Sequence, residues 1–542
     1  MIAFTLLTCV MTYPQVLHLR DTVHDDGDPL LNTWALAWVA HQLPRAPAHL
    51  FDANIFYPER RTLAYSETLL LPAVVAAPLH WIGIGPILVY NLVFLSGFVI
   101  SGVGMALLVR SLTASSAAGL IAGVVFAFLP YRIDHFAHMQ LQQTQCLPFA
   151  MWAFHRLTTS GSIRDGALFG ALTAGQVLSC MYYGLLMIPF MAVVCATLVI
   201  AGWQKRRTAG FVPLLIAGAI VVVAAYPVAR AYLGARKVVG ERTAEEIVTN
   251  GSAVVTDYLG PPEENLVYGK VFARFARGER KLFPGFVAIG LALFGIVGTR
   301  GTLGTRGTSA SRGTLVLAYG LGLLIAFDVS LGFNGITYRV LYAYVLPFRG
   351  LRIPARSGML VGFALAVLAG LGVARIRRRE VVAVLGMLMC VEYLSHHIPQ
   401  VTVPLAPPQA YADLMRDNAG NPPATLFEFP ASSQDDPTYM YYSTFHWQHL
   451  ANGYSGFFPP SYIFMVNQVQ NLPEDMGVTA IKNHGARYLL IHGERLFGGR
   501  YAELTEQLKR RRDMTLVSRA PAEREGQHGE ISVFRISYNE DR

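Results

Sequence analysis

Residues 86–110 read PILVYNLVFLSGFVISGVGMALLVR: no charged residue occurs before the closing Arg110. A helix rises about 1.5 Å per residue, so such a run spans the roughly 30 Å of hydrocarbon in a bilayer. Similar apolar runs occur at 2–19, 114–130, 140–157, 165–181, 183–203, 210–233, 282–299, 314–328, 355–374 and 380–396. They predict a mainly α polytopic membrane domain of about eleven transmembrane helices over 1–396. Residues 397–542 have ordinary soluble composition. Strand patterns at 425–429, 487–492, 514–518 and 531–536 and a helix at 501–512 predict a separate α/β domain there.

Composition agrees with this division. The 542 residues are 53% hydrophobic and 15% charged, against about 25% charged in soluble domains. The net charge of +9 does not point to nucleic acid, because the Lys and Arg residues sit in short clusters between apolar runs, as a topology signal does. The five cysteines are scattered, with neither disulfide nor metal spacing. The segment 2–19 lacks a basic flank and a small-residue cleavage site, so it reads as a first span rather than a signal peptide.

Orientation turns on residues 69–81, a shorter run broken by Pro72 and Pro78. If it stays on the outer side as an interfacial or re-entrant helix, every short basic loop falls inside. These loops carry Arg110; Arg156 and Arg164; Lys205, Arg206 and Arg207; Arg300, Arg306 and Arg312; and Arg375 with Arg377, Arg378 and Arg379. If it spans, the loops from Arg110 to Arg207 invert and the positive-inside rule fails. The expected topology is therefore N-terminus inside and C-terminal domain outside. The outer side then holds loops 20–85, 131–139, 234–281 and 329–354.

Those outer loops carry the polar chemistry. The first contains Asp25, Asp26 and Asp28 within four residues. Clustered carboxylates raise one another's pKa unless a cation or donor compensates, and they suit general-base work or metal binding. Asp28-Pro29 also reads as a helix N-cap, opening an interfacial helix 29–43 with Leu30, Trp34 and Trp38 on one stripe. The second loop carries Arg132, Asp134, His135 and His138, with Asp134 and His138 one turn apart. The run FRGLRIPARSG (348–358) sets Arg349, Arg352 and Arg356 at the outer end of a span, against the positive-inside trend. Arginine forks match phosphate oxygens. Tyr258 in the long loop, and His446 in the aromatic stretch 439–457, are candidate substrate contacts, since aromatic faces suit sugars.

The segments GDPLLNTWALAW, YRIDHFAHMQLQ, KLFPGF, FRGLRIPARSG and NGYSGFF resemble a bacterial group within the GT-C superfamily, the membrane glycosyltransferases that use polyprenyl-phosphate-linked sugars. The resemblance implies an inverting enzyme on the outer face of the bacterial inner membrane, acting on a glycan, lipid or protein acceptor. In that frame Arg349, Arg352, Arg356 and Arg132 are candidates to hold phosphate. Asp28, Asp26 or Asp25 is the candidate base. Asp134, His135 and His138 form a second motif that positions the phosphate, directly or through Mg2+ or Mn2+. That motif offers histidines where two carboxylates are expected. A transporter or lipid flippase, or a non-catalytic lipid-binding assembly protein, is the alternative reading. A transporter predicts charges near the bilayer midplane and repeated halves; neither is evident.

Overall fold

The structure, a computed structural model, describes residues 1–203, 211–297, 310–396, 398–496, 499–524 and 527–538. The basic residues Lys205, Arg206, Arg207, Arg300 and Arg306 lie outside the described residues. Each of the eleven apolar runs contains a helix, from Ile2–Met11 and Pro86–Thr113 through to Arg379–Tyr393. Six described segments are long and apolar enough to cross a membrane: Pro86–Thr113, Ser116–Asp134, Met181–Ala201, Phe211–Val239, Arg312–Ser330 and Pro354–Val373.

The chain divides into two compact units. One comprises Met1–His18, Leu92–Pro227 and Glu241–Pro399; the other comprises Leu19–Asn91, Val228–Gly240 and Gln400–Arg542. This differs from a simple division at residue 397, because the first outer loop folds with the C-terminal segment. Backbone pairing is the reason. Strand β1 (Thr22–Val23) runs antiparallel to β2 (Val401–Thr402). The amides of Phe56 and Tyr57 donate to the carbonyls of Asn452 and Leu450.

At the centre of the first unit lies Gly358–Val373, with every residue buried. It packs against Ser116–Ala127, Phe286–Val297 and Arg312–Ser330. Lipid tails offer no hydrophobic contrast to drive helices together, so close approach through small residues does this work instead. A Cβ added at Gly372 would collide with the carbonyl oxygen of Leu291, and one at Gly295 with that of Leu368. The two backbones therefore touch.

In the second unit, the helix Asp28–Gln42 packs against Leu70–Trp81 and Asp436–His446. The expectation of an interfacial helix with one apolar stripe is corrected here: residues 29–40 are buried on all sides. The Trp34 indole donates to Asn54 Oδ1 at 3.0 Å and the Trp38 indole to the Leu50 carbonyl at 2.8 Å. Nor is Asp28 an N-cap: Gly27 holds that position and Asp28 is the first helical residue.

The C-terminal sheet contains β3 (Thr425–Phe429), β4 (His449–Leu450), β5 (Ala486–His492), β6 (Met514–Arg524) and β7 (Gln527–Ile536), ordered β4-β3-β5-β7-β6. The pairs β4-β3 and β3-β5 are parallel, and the others antiparallel. The four strands read from the sequence are present. Strand β4 has only two residues, too few for a period-2 signal.

Glu428 and His492 lie near the carboxyl ends of adjacent parallel strands and both are fully buried. His492 Nε2 is 2.8 Å from Glu428 Oε2, and its Nδ1 is 2.9 Å from Glu494 Oε1. Burial pulls the imidazolium down, but the two carboxylates outweigh it and hold the group at about 9. The folded value lies above the unfolded one. The stabilisation is therefore complete below the unfolded pKa, near 6.5, and is lost as pH rises through about 9. Raising the pH from 6.5 to 10 is expected to weaken this sheet by on the order of 1–3 kcal/mol. Hydrogen exchange of the β3 and β5 amides in the full chain, corrected for intrinsic base catalysis, checks it. In H492Q the pH dependence should disappear.

Candidate functional site

Three segments of the first unit meet: the turn at 130–138, the long loop after residue 241, and the stretch 346–358. The long loop is fixed locally. Asp257 accepts from the Val254 amide at 2.8 Å and pairs with Arg277 at 2.9 Å. The amides of Leu282 and Phe283 donate to the carbonyls of Asp257 and Gly260. A Cβ at Gly251 would collide with the carbonyl of Arg352, so only glycine lets this loop approach the arginine-bearing stretch so closely. The helix after Arg356 needs no polar partner along its length, which leaves the guanidinium at its N-terminal end to find one.

That partner is Glu279. Arg356 donates to its Oε2 through Nε at 3.1 Å and Nη2 at 2.6 Å, and Arg352 Nη2 lies 3.5 Å from Oε1. His135 Nε2 lies 3.6 Å from Oε2. Two residues further on, Lys281 Nζ sits 2.8 Å from Asp134 Oδ1. The other oxygen of Asp134 is 3.6 Å from His135 Nδ1. The Arg356 guanidinium lies over the Tyr182 ring, 4.7 Å from its centroid. Burial alone would raise the Glu279 carboxyl, but Arg356, followed by His135 and His138, holds it well below the usual range. Burial likewise opposes the charge on Lys281, and Asp134 overrides it and raises the ammonium. Three cations (Lys281, Arg352, Arg356) thus meet Asp134 and Glu279, with the exposed Glu263 also 4.0 Å from Lys281.

The sequence candidates separate. Arg352, Arg356, Asp134 and His135 come together in this cluster, and the His138 ring lies 5.5 Å from that of His135. Arg132 has another role: it is fully buried, bonded to Gln142 at 3.0 and 2.7 Å, and stacked on Phe98. Its Nε and Nη2 hold the turn at 130–142 together, while Nη1 has no hydrogen-bond partner among the described residues. Arg349 donates to the carbonyls of Tyr342 and Ala343, the end of the helix Thr337–Tyr344, as basic side chains do at helix C-termini. Tyr258 exchanges a hydrogen bond with Ser330 at 2.8 Å.

Asp25, Asp26, Asp28 and His446 belong to the other unit. Asp25 folds back on the Gly27 amide at 2.8 Å; burial, its largest influence, raises its pKa despite that bond. Asp28 accepts from the Tyr454 hydroxyl at 2.8 Å. His446 is buried, stacks on Tyr411 and accepts from the Gln448 amide. It is a core residue.

A divalent cation prefers oxygen ligands. Around Asp134 the oxygens already face Lys281 and His135, and among the described residues no group of three or more His, Cys, Asp or Glu could hold a metal. These residues do not fit Mg2+ or Mn2+.

An open, mostly apolar groove of about 400 Å³ is lined by Val193, Leu321, Leu324, Ile325, Asp328, Ile336 and Thr337. It lies on the helix whose Ala326 carbonyl accepts from Ser357, the neighbour of Arg356.

The helical body and the α/β unit have a counterpart among solved structures. No family model and no curated protein matches its sequence. Among solved structures it is similar to the arabinofuranosyltransferase AftD from Mycobacteria, with a TM-score of 0.61 at 14% identity, over 99% of this chain and 39% of that one. A variant of the same protein gives 0.59 at 15%, over 99% and 41%. The chain thus spans about two fifths of the length of the structures it matches. ArnT from Cupriavidus metallidurans aligns over 98% of this chain and 97% of its own at 12% identity, but with a TM-score of 0.39 it is too distant to carry an argument.

Breaking a buried ion pair from one side leaves an uncompensated charge. R356A is therefore expected to destabilise the protein by roughly 1–3 kcal/mol, discounted for the partial exposure of Glu279. The double variant E279A/R356A should recover part of that loss. Thermal unfolding of the purified protein in detergent, arranged as a double-mutant cycle, measures the coupling.

Proposed function

We propose that this chain is an inverting glycosyltransferase that takes a sugar from a polyprenyl-phosphate carrier and passes it to an acceptor glycan, lipid or protein at the outer face of the bacterial inner membrane. The proposal includes eleven crossings, an inner N-terminus and an outer α/β unit, as the distribution of basic loops favours. The observation that carries it is the cation cluster of Arg352, Arg356 and Lys281 at the end of an apolar helix. Guanidinium forks bind phosphate oxygens bidentately, and the mostly apolar groove on Arg312–Ser330 suits an isoprenoid tail. The GT-C fold adds support.

In the proposed reaction the acceptor hydroxyl attacks the anomeric carbon from the face opposite the phosphate. Its proton passes to Asp26 or Asp28, and the bond between the anomeric carbon and the phosphate oxygen breaks. The polyprenyl phosphate leaves with the electron pair, and Arg352 and Arg356 stabilise the charge that develops on it. No step is routed through Mg2+ or Mn2+, because three cations already gather at this position; transfer is expected to persist in excess EDTA.

Two variants test the reading in membranes supplied with polyprenyl-phosphate sugars. R352A should lower transfer by roughly 10²–10³-fold, the effect of removing one donor to a developing charge. The double variant D26N/D28N should abolish transfer while leaving carrier-lipid binding intact. Unchanged transfer in D26N/D28N rules out the proposed base. Carrier binding without transfer in the unmodified chain favours the non-catalytic alternative.

A further inference from the structure

We propose that Glu279 is a resident anion: its carboxylate occupies the anion position formed by Arg352, Arg356 and His135, and a phosphate monoester displaces it on binding. The inference rests on the reading of this cluster as a phosphate site and adds the residue that regulates access to it.

The geometry shows how imperfectly a carboxylate fits. Arg356 directs both of its donors at Oε2. Arg352 reaches Oε1 only at 3.5 Å. His135 Nε2, in a side chain 1% exposed, lies 3.6 Å from Oε2 and has no hydrogen-bond partner among the described residues. A contact of 3.6 Å is not a hydrogen bond, and a buried polar atom left unmatched carries a free-energy cost. Glu279 therefore saturates one guanidinium and leaves two nearby groups poorly served. A phosphate monoester presents three terminal oxygens on a tetrahedral centre, one for each group. Carboxylate and phosphate cannot share the site, because two anions at that separation repel.

The chain around Glu279 allows the exchange. Gly278 has φ +46°, a left-handed conformation that favours glycine, and open space where a Cβ would stand. On the other side, Leu282 and Phe283 are buried at 3% and 1% exposure and anchored through their amides. A rearrangement is thus confined to residues 278–281, with Gly278 as the pivot. Lys281 lies within that strip, so release of Glu279 also loosens the Lys281–Asp134 pair. Arg280, whose Nη1 donates to the Ser252 carbonyl at 3.1 Å, ties the strip back to the loop.

The exchange carries a signature that a purely structural ion pair lacks. A ligand that must displace a resident group binds more weakly by the fraction of time the site is open. If Glu279 holds the site for roughly 90–99% of the time, the apparent affinity falls by about 10–100-fold. The charge-neutral isostere E279Q removes the competitor with little change of shape.

The test is binding of farnesyl phosphate, with inorganic phosphate as the second probe, to the full-length protein in nanodiscs, and sugar transfer is not needed. In E279Q both probes should bind about ten-fold more tightly or better. In the unmodified protein, farnesyl phosphate should speed hydrogen exchange within residues 278–281 while slowing it around Arg356. Tighter binding of farnesyl phosphate alone assigns the site to a lipid phosphate; tighter binding of both probes assigns it to phosphate generally, and each supports displacement. Equal or weaker binding in E279Q of unchanged thermal stability overturns the proposal and makes Glu279 a positioning residue. Should E279Q unfold, the exchange pattern in the unmodified protein decides, and slower exchange throughout 278–281 overturns the proposal. Absence of binding in both proteins removes the displacement and the phosphate site together. Displacement without any sugar transfer in membranes leaves the present inference standing and defeats the transferase reading alone.

Discussion

A guanidinium at the end of a wholly apolar helix needs an anion, and the organisation of this site follows from that need. Gly358–Val373 is buried throughout, so Arg356 has no polar neighbour along its own helix. Leaving such a charge unmatched at low dielectric costs several kcal/mol. The chain answers with Glu279, far away in sequence, and in doing so pins a long loop against the turn carrying Asp134 and His135. Lys281 and Asp134 repeat the arrangement with the charges reversed. Two crossed ion pairs thus set the relative positions of three segments that share no secondary structure.

Much of the fold was legible because solvation acts over long stretches. Runs of apolar residues register as helices regardless of their partners, and each of the eleven contains a helix. The sheet strands read at 425–429 and 487–492 were also visible, being short, mostly apolar segments bounded by polar turns. The surroundings of individual residues were less visible. Trp34 and Trp38 suggested an amphipathic stripe, yet the helix is enclosed on all sides by Leu70–Trp81 and Asp436–His446. Periodicity shows which face is apolar, not whether the opposite face is covered as well.

The site divides along the same line. The excess of arginine at 349–356 stood out because it opposed the charge rule, a global signal. Which of the three arginines is free for an anion depends on packing. Arg349 is occupied by helix-terminal carbonyls, whereas Arg352 and Arg356 face Glu279. Glu279 went unassigned for a related reason. It sits among Arg277, Arg280 and Lys281, so a local reading pairs it with its neighbours. Its actual partner lies 77 residues away, a separation that no spacing rule reaches. The only available hint was a lone acid in a basic strip beside KLFPGF.

Gly295 and Gly372 leave no side-chain layer between the helices that carry them. A seam of backbone on backbone resists shear, because sliding by a fraction of a turn drives carbonyl oxygens into α-carbons. Arg356 is mounted at the end of one of these helices. Of the two charged groups that meet at its N-terminal end, one is therefore fixed to this seam and the other follows Gly278 in a loop. In the displacement proposed above, the acidic partner supplies the compliance, and the guanidinium is the fixed landmark against which an incoming headgroup registers.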